Sequence, residues 1–272
     1  MSGSPPISKS TGKKPALRVE HVTRRFGGLV AVNDFCLMLH NGDLQGLIGP
    51  NGAGKTTAFN LITGVYAPTT GAVHLGDTQI DGAPPAQINR AGIARTFQNI
   101  RLFQNLSVLD NVAVAFDRSA EHGLLGTILR SPKAGRRLAS VEDRALDLLA
   151  TFDLDDKADF IAKNLPYGDQ RRLEIARALA TQPSILLLDE PAAVMNPQEK
   201  IQLMELIRFI REKFAVGILL IEHDMKLVMN ICEKITVLDH GETIAIGPPE
   251  EIQCNPKVIE AYLGEPQEAP AH

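Results

Sequence analysis

A glycine-rich stretch that ends in lysine and threonine constrains the fold of this 272-residue chain more than any other feature. It fits the pattern G-x-x-x-x-G-K-[ST] at every fixed position, and its residues are Gly49, Pro50, Asn51, Gly52, Ala53, Gly54, Lys55, Thr56 and Thr57. A strand-like apolar run, residues 44–48, precedes it, and a helix-compatible run, residues 58–63, follows it. The glycines let backbone N–H groups surround a triphosphate, Lys55 neutralises phosphate charge, and Thr56 offers a hydroxyl to Mg²⁺. This context disfavours a glycine-rich turn without a ligand and predicts a nucleotide-binding site.

Charge and the lengths of the apolar runs restrict the partners of the chain. The net charge is −4 and the pI is about 6.0, so no global positive field attracts nucleic acid. Apolar runs such as residues 185–188 and 217–221 are far shorter than the roughly 20 residues that cross a bilayer. We therefore expect any membrane role to go through a partner. Residues 1–16 and 265–272 are predicted to be flexible tails on either side of one domain at residues 17–264.

Alternating apolar residues predict a small antiparallel sheet beside the phosphate loop. Its strands are predicted at residues 17–22, 32–39, 71–75 and 78–80, and a hairpin is predicted later, at residues 235–244. Residues 24–28 are predicted to lie between the first two strands, where an exposed Phe26 would stack on a purine base. Burial of Phe26 in the core is the competing interpretation, and it is the commoner one for a phenylalanine considered alone.

Two predicted strands end in charged or titratable side chains. Asp189 and Glu190 follow the apolar run at residues 185–188, and His223 lies just after the run at residues 216–221. The carboxyl ends of parallel strands meet at one edge of a sheet, so these side chains are expected to face the nucleotide. Beside a phosphate loop, Mg²⁺ binding by the two acids is favoured over capping of the next turn. A lone histidine is usually structural, but its position on the same edge favours a role in the site.

A helical subdomain is predicted at about residues 99–180. Ser107 and Ser140 each begin an S-x-x-D pattern typical of a helix N-cap, and residues 141–152 have one apolar face. A further helix is predicted to open at residues 165–172 and to run through Ala180, and Asn196 is predicted to cap a helix that ends at about Phe214. A basic cluster, more typical of a solvated face than of a contact with lipid or an acidic partner, comprises Arg130, Lys133, Arg136 and Arg137.

Five motifs occur in the order and approximate spacing of the ATP-binding-cassette (ABC) family: the phosphate loop, Gln98, a segment around Gly168, Asp189-Glu190, and His223. Residues 17–264 resemble one complete ABC ATPase domain. The resemblance implies an α/β fold with a RecA-like core, an antiparallel β subdomain and an α-helical signature subdomain. It also implies ATP and Mg²⁺ as the bound molecules.

The resemblance implies a role for each motif. Phe26 resembles the adenine-stacking aromatic, and Gln98 resembles the Q-loop glutamine near Mg²⁺ and the attacking water. Asp189 resembles the Walker B acid that holds Mg²⁺ through water, Glu190 the catalytic carboxylate, and His223 the switch histidine at the γ-phosphate. The signature segment, which contacts ATP bound by the opposite subunit, corresponds to Leu165, Pro166, Tyr167, Gly168, Asp169 and Gln170.

Several segments resemble, within the family, the ATPase subunit of branched-chain amino-acid importers. They are residues 25–28, 95–98, 167–176, 222–229 and 262–264, and an extra segment near residues 117–139 also suits that group. The resemblance implies an energy-coupling ATPase at the cytoplasmic face of a bacterial inner membrane. The implied partners are membrane permease subunits, an extracytoplasmic solute-binding protein reached through the permease, and a second ABC ATPase or another copy of this chain in a head-to-tail dimer.

The loop after Gln98 carries four apolar residues, Ile100, Leu102, Phe103 and Leu106. Two interpretations stay open. The loop forms part of a groove for a short cytoplasmic helix of the permease, or its apolar residues are buried against the helical subdomain.

Other functions compete with amino-acid import. The same kind of machine would import urea, short amides or another solute, because the solute never touches this chain. A soluble ABC ATPase of DNA repair or translation is expected to have a coiled-coil insertion or two tandem cassettes and more positive charge, and the sequence has none of these. A P-loop GTPase needs an Asn-Lys-x-Asp guanine reader, which is absent.

Four positions depart from the family pattern. In the signature, Pro166 replaces the serine that offers a hydroxyl to phosphate, and Asp169 replaces a glutamine and would repel phosphate if it pointed inward. Val194 stands where this group tends to have glycine, and Asn196 where most cassettes have aspartate. A positive φ at residue 194 would strain a β-branched side chain. We expect the composite site built with this signature to be weaker than usual.

Overall fold

The computed structural model describes residues 16–116 and 132–263, with the backbone alone for residues 132–139 and Leu263. These residues form two compact units: a first unit of residues 16–93 and 184–263, and a second unit of residues 94–183. Residues 1–15 and 265–272 of the predicted tails, residues 117–131 of the extra segment and the side chains of the basic cluster lie outside the described residues. Ala16, the last residue of the predicted N-terminal tail, is described, and its N–H donates to the Leu39 carbonyl oxygen at 3.0 Å. The domain bounds expected from the sequence stay predictions. Among the described helices, none is both long enough and apolar enough to span a membrane.

In chain order the strands are β1 (Leu17–Phe26), β2 (Leu29–Leu39), β3 (Leu44–Ile48), β4 (Thr70–Leu75), β5 (Thr78–Gln79), β6 (Ile93–Arg95), β7 (Ile185–Asp189), β8 (Gly217–Ile221), β9 (Lys234–Asp239) and β10 (Glu242–Gly247). The helices are α1 (Lys55–Ile62), α2 (Pro85–Ala91), α3 (Val108–Phe116), α4 (Pro132–Thr151), α5 (Tyr167–Ala180), α6 (Pro197–Phe214), α7 (Met225–Ile231), α8 (Pro249–Gln253) and α9 (Pro256–Leu263).

A six-stranded sheet in the order β10-β9-β3-β8-β7-β6 carries the predicted phosphate site. Strand β3 runs parallel to both β8 and β9, and β8 runs parallel to β7. Every residue of β3, β7 and β8 is buried, as expected for parallel strands covered on both faces. The carboxyl ends of three neighbouring strands, β3, β8 and β7, therefore lie together at one edge, which is the arrangement that the sequence predicts.

A four-stranded antiparallel sheet, in the order β2-β1-β4-β5, forms the predicted small layer. The prediction that residues 24–28 lie between the first two strands is wrong for Arg24, Arg25 and Phe26, which belong to β1 and pair with β2. The strand continues past its apolar alternation because backbone pairing, with register shifts, extends to a turn at Gly27-Gly28. One apolar cluster joins this sheet, α1 and the six-stranded sheet through side chains such as Phe35, Phe59 and Leu187.

Helix α6 begins and ends where the sequence predicts. The Asn196 side chain accepts a hydrogen bond from the Glu199 N–H, and Glu199 reaches back to the Asn196 N–H. This reciprocal capping box satisfies two N–H groups that the helix itself leaves without partners. The predicted hairpin is also present, since β9 and β10 pair antiparallel across His240 and Gly241, both with positive φ.

The second unit is mainly helical. The N-cap predicted at Ser107 is confirmed, because its hydroxyl accepts the Asp110 N–H at 2.9 Å. The N-cap predicted at Ser140 is wrong, because α4 starts eight residues earlier, at Pro132, and passes through Ser140. The apolar face predicted for residues 141–152 is present, with Ala145, Leu148, Leu149 and Phe152 buried. A capping pattern marks a helix start only where the preceding residues leave the helix, and here they continue it.

Candidate functional site

The phosphate loop connects the end of β3 to the start of α1, and its shape depends on glycine. Gly49, Gly52 and Gly54 have φ values of 150°, 84° and 101°. A Cβ at Gly49 would lie 2.0 Å from the Leu238 carbonyl oxygen, and one at Gly54 would lie 2.6 Å from the Ala31 carbonyl oxygen. No side chain larger than hydrogen fits these two positions, so the backbone forms a narrow cradle at the N-terminus of α1.

Lys55 is buried inside this cradle. Its Nζ donates hydrogen bonds to the carbonyl oxygens of Gly49, at 2.6 Å, and Pro50, at 2.8 Å. Burial lowers the pKa of the ammonium group, and the nearby carboxylates of Glu190 and Asp189 act in the opposite direction. The lysine is thus held against the loop that the sequence predicts to bind phosphate.

The N-terminus of α1 has no side-chain cap, since Gly54 occupies the N-cap position. Thr56 and Thr57 lie in the first helical turn, with Thr56 exposed and Thr57 half-buried. Along the loop, Ala53 is buried, Pro50 is half-buried, and Asn51 and Gly52 are exposed. Uncapped N–H groups and the positive end of the helix dipole favour an anion here.

The two predicted acids and the predicted histidine meet at the ends of β7 and β8. Asp189 is the last residue of β7 and is only 6% exposed, and Glu190 follows it with a φ of 46°. The Glu190 N–H donates to the Ile221 carbonyl oxygen at 2.9 Å, which ties the two strand ends together. His223 Nδ1 lies 3.8 Å from Glu190 Oε2, and the His223 side chain is 62% exposed. The imidazole is therefore close to the carboxylate and open to a ligand.

Glu222, which the sequence interpretation assigned no role, is completely buried beside them. Its carboxylate accepts the Ala192 N–H at 2.7 Å and the His223 N–H at 3.2 Å. Burial raises its pKa, although these hydrogen bonds and His223 oppose the rise. Asp224 adds a second link through an ion pair with Lys200 of 2.7 Å. Glu222 thus joins the segment that contains His223 to the loop after Glu190. The run of charged residues directly after a buried strand is the sequence feature that could have indicated this role.

Phe26 is 38% exposed, so it is not part of the core. Its ring meets Tyr66 edge-on, with centroids 5.1 Å apart, and the Arg24 guanidinium lies 4.5 Å from its centroid. Aromatic and cation–π contacts of this kind hold the ring in a fixed orientation. Stacking on a purine stays a prediction.

The C-terminal helix also reaches the phosphate loop. The Tyr262 hydroxyl makes a hydrogen bond with the Gly49 backbone, and burial raises the pKa of Tyr262. A cavity of about 660 Å³ lies between the outer side of the loop and α9, lined by residues that include Asn51, His240 and Lys257. Pro50, Gly52 and Ala53 of the phosphate loop also line this cavity, but Lys55, Glu190 and His223 do not. The cavity therefore adjoins the loop without including the predicted acids and histidine at the ends of β7 and β8.

In the second unit, the signature segment forms the start of α5. Pro166 is the N-cap residue and provides no side-chain hydrogen bond. Asp169 does not point freely toward a ligand, because its carboxylate makes an ion pair with Lys157 at 2.8 Å. The Gln170 amide donates to the Leu165 carbonyl oxygen at 2.8 Å, while Tyr167 is exposed and Gly168 half-buried. The repulsion that would follow from an inward Asp169 is therefore relieved by Lys157.

Gln98 lies in an exposed loop of the second unit. Of the four apolar residues that follow, Phe103 is 48% exposed and Leu106 is 37% exposed, and Ile100 and Leu102 are half-buried. None of the four is buried in the second unit, which disfavours the interpretation that they are part of its core. The loop instead carries an apolar surface.

The loop after Glu190 has the positive φ at residue 194 that is expected to strain a β-branched side chain. Val194 has a φ of 68° and is 90% exposed. Asn196 acts as the N-cap of α6, which is a role that aspartate also fills well.

Comparison with known proteins assigns the chain to a family. The family model described as "ABC transporter" matches residues 32–193, and it spans the phosphate loop, the signature segment and the two acids. The chain belongs to the ABC transporter family. A second model, described as "Branched-chain amino acid ATP-binding cassette transporter", matches residues 242–268, which include Tyr262.

Individual members of the family resemble the chain over nearly their whole length. The high-affinity branched-chain amino acid transport ATP-binding protein LivG of Escherichia coli (strain K12) is 50% identical over 252 residues, covering 93% of this chain and 99% of that protein. The corresponding protein BraF of Pseudomonas aeruginosa is 46% identical with the same coverage. A crystal structure of the ADP conformation of an ATP-binding cassette of an ABC transporter has a TM-score of 0.79 at 29% identity, covering 93% of this chain and all of that one.

The predicted family and fold class are thereby confirmed. The structure brings the phosphate loop, Asp189, Glu190 and His223 together within the first unit and places Gln98 and Pro166 to Gln170 in the second. Sequence reasoning missed Glu222, Tyr262 and the Lys157 partner of Asp169.

Proposed function

We propose that this chain is the ATP-hydrolysing, energy-coupling subunit of an importer for branched-chain or other hydrophobic amino acids. One observation carries the catalytic part of the proposal: Lys55, Asp189, Glu190 and His223 converge at a single edge of the parallel sheet. The relatives named above, which are branched-chain amino acid transport ATP-binding proteins, and the match at residues 242–268 support the solute class.

Phosphate binding follows from the cradle and the lysine. The backbone of residues 49–54 and the uncapped start of α1 present N–H groups to the phosphates of ATP. Lys55 exchanges its hydrogen bonds to Gly49 and Pro50 for bonds to the β- and γ-phosphates. Because its ammonium group is buried, it gains more from an anionic partner than an exposed lysine does.

Hydrolysis is assigned to Glu190. The carboxylate orients the attacking water and accepts its proton, while His223, 3.8 Å away, donates a hydrogen bond toward the γ-phosphate. Glu222 supports both groups, because it fixes the backbone of His223 and of Ala192, two residues after Glu190. The arrangement is a base and a hydrogen-bond donor on adjacent strand ends.

The donor set at this edge fits Mg²⁺, since the Thr56 hydroxyl and the Asp189 carboxylate are hard oxygen ligands. These two residues would hold the ion directly or through water. Bound Mg²⁺ neutralises charge on the phosphate oxygens. The role predicted for Gln98 as a third ligand stays a prediction.

The second unit is assigned the contacts with other subunits. The start of α5, with the Gly168 N–H and the helix dipole, would face ATP held by a second ABC ATPase or by another copy of this chain. The apolar surface formed by Ile100, Leu102, Phe103 and Leu106 would receive a short permease helix at the cytoplasmic face of the membrane. An extracytoplasmic solute-binding protein would act through the permease, and no nucleic acid is expected.

Uptake into proteoliposomes tests the proposal. We expect the chain, assembled with its permease subunits and receptor, to drive ATP-dependent uptake of labelled leucine, with isoleucine and valine as competitors. Uptake of urea or a short amide, unaffected by these amino acids, would keep the ATPase assignment and overturn the solute class.

Cysteine cross-linking tests whether the apolar surface after Gln98 docks against the permease. If Phe103→Cys never cross-links to the permease but does change the unfolding temperature of the chain, the proposed docking surface is wrong.

A further inference from the structure

Helix α5 carries a completely buried ion pair that begins directly after the signature segment. Arg171 and Glu174 are 0% and 2% exposed, and Arg171 Nη1 lies 2.7 Å from Glu174 Oε2. Both residues lie on one face of the helix, at i and i+3 spacing. Charged residues are almost never buried this fully unless they are paired and hydrogen-bonded.

The pair is bonded to the backbone of the loop that contains Gln98. Arg171 donates to the carbonyl oxygens of Phe97, at 2.7 Å, and Gln98, at 2.8 Å. Glu174 Oε1 accepts the N–H groups of Arg101, at 3.1 Å, and Phe97, at 3.4 Å. The guanidinium thus donates two hydrogen bonds, and one carboxylate oxygen accepts two, in a loop segment that has no regular secondary structure.

The same pair also reaches the signature segment. Arg171 Nη2 donates to the Tyr167 hydroxyl at 3.1 Å. One turn further along α5, Arg177 donates to the Arg101 carbonyl oxygen, so the helix contacts the loop at three successive positions of one face. Arg171 therefore bonds to both the loop and the signature segment, and Glu174 binds Arg171 and the loop.

Stability alone does not explain a buried ion pair. Replacing such a pair with apolar residues of similar volume is often neutral or stabilising, because the charges no longer have to be desolvated. Arg171 also keeps its Nε buried without a hydrogen-bond partner among the described residues, which adds to the cost. What apolar residues cannot replace is the set of directed bonds to the loop backbone.

We propose that Arg171 and Glu174 are positioning residues that fix the Gln98 loop to the signature helix, so that the two segments move as one rigid piece. The inference rests on the proposed function, in which the loop meets the permease and the signature meets nucleotide. A permease movement that displaces the loop then displaces the signature with it, and transport is coupled to hydrolysis through this pair.

The apolar double variant Arg171→Met/Glu174→Leu separates positioning from stability. We expect it to unfold at a temperature close to that of the wild type, because it removes both buried charges. In the assembled transporter, we expect KM for ATP within about twofold, because the phosphate loop is untouched, and a fall in kcat and in solute-stimulated ATPase of about ten- to a hundredfold. Arg171→Met alone or Glu174→Leu alone leaves one buried charge unpaired, and each is expected to lower the unfolding temperature.

Two further variants keep the test decisive. Arg171→Lys retains the charge but not the forked set of donors, so we expect normal folding with partial loss of stimulation. Leu149→Ala in α4 is the control, because it removes buried apolar volume in the same unit without a bond to the loop. It should lower the unfolding temperature and leave the stimulation ratio unchanged.

If the folded double variant has the kcat and the solute-stimulated ATPase activity of the wild type, the inference is wrong and the ion pair has only a structural role. If the double variant does not fold, the same result in Arg171→Lys overturns it. Failure of the proposed function is distinguishable, because it would appear as normal ATPase activity in Glu190→Gln. Glu190 belongs to the first unit, and the ion pair belongs to the second.

Discussion

The two units hold their functional residues by different means. In the first unit, Asp189, Glu190 and His223 stand at the ends of strands whose residues are all buried, so the sheet itself fixes them. In the second unit, the Gln98 loop has no sheet partner, and side chains 73 or more residues later in the chain, Arg171 and Glu174, hold its backbone. A site on strand ends is fixed by the sheet, whereas a loop held by side chains of neighbouring helices, among them Arg171, Glu174 and Arg177, is suited to moving together with those helices.

Removing the Glu190 carboxylate should have the largest effect on ATP turnover, because it tests whether the first unit supplies the general base. General bases contribute about 10² to 10⁴ in rate, so we expect Glu190→Gln to nearly abolish turnover while ATP still binds. Steady-state phosphate release and nucleotide-binding titrations measure the two quantities. Turnover near the wild-type rate would move the base to another residue.

Lys55→Ala is expected to act on binding instead. The buried ammonium group is lost, and phosphate charge is left without its partner, with a cost of about 1.5–3 kcal/mol, or roughly 10- to 150-fold in affinity. Binding of a fluorescent ATP analogue measures this loss. Affinity within about twofold of the wild type would show that backbone N–H groups suffice in the cradle.

Pro166→Ser should strengthen the contact between the signature segment of the second unit and the phosphate of ATP. Serine at the N-cap position offers a hydroxyl to phosphate, so we expect higher ATPase activity in the assembled transporter, with a ceiling of about 1.5–3 kcal/mol. The new cap also stabilises α5 by about 1 kcal/mol. Pro248→Ser is the matched control, since Pro248 is the uncapped N-cap of α8, and it should change stability without changing activity. Equal activity in both variants and the wild type would show that the signature is not weakened by its proline.

Val194→Gly should remove strain from the loop after Glu190. A left-handed conformation costs a non-glycine residue about 1–2 kcal/mol, and the entropy of glycine offsets part of the gain, so we expect a net of about 1 kcal/mol. Thermal unfolding should shift upward by about 2–4 °C, with higher ATPase activity. Ala215→Gly relieves a positive φ of 48° at the exposed end of α6 and serves as the control for stability alone. No change in activity for Val194→Gly would make the departure neutral.

Glu222 should make stability depend on pH by a small amount. Because burial raises its pKa, the folded chain keeps a proton on this carboxyl at pH values where the unfolded chain has released it. Its contribution is therefore most favourable below the ordinary pKa, falls as pH rises through the window up to the raised pKa, and then stays constant. In Glu222→Gln this dependence disappears, so the unfolding temperature of the variant relative to wild type should rise with pH across that window. The exposed Glu205→Gln in α6 controls for the loss of a negative charge.

The sequence by itself determined the phosphate loop, the family and the two acids with their histidine. These signals are local: a contiguous glycine pattern between a strand and a helix, and polar residues directly after fully apolar runs. The capping pattern at Asn196 was local in the same sense, and α6 has the predicted bounds. At Ser140 the same kind of pattern failed, because the residues before it continue the helix.

Tertiary structure alone decided which distant side chains meet. The turn of Asp169 toward Lys157, the support of Ala192 by Glu222 and the bonds of Arg171 to Phe97 and Gln98 join residues 12 to 74 positions apart in the chain. Hydrogen bonds and ion pairs depend on distances of about 3 Å and on direction, and no local period encodes them. The sequence therefore located the chemistry in the first unit, and only the folded chain showed what holds the Gln98 loop in the second.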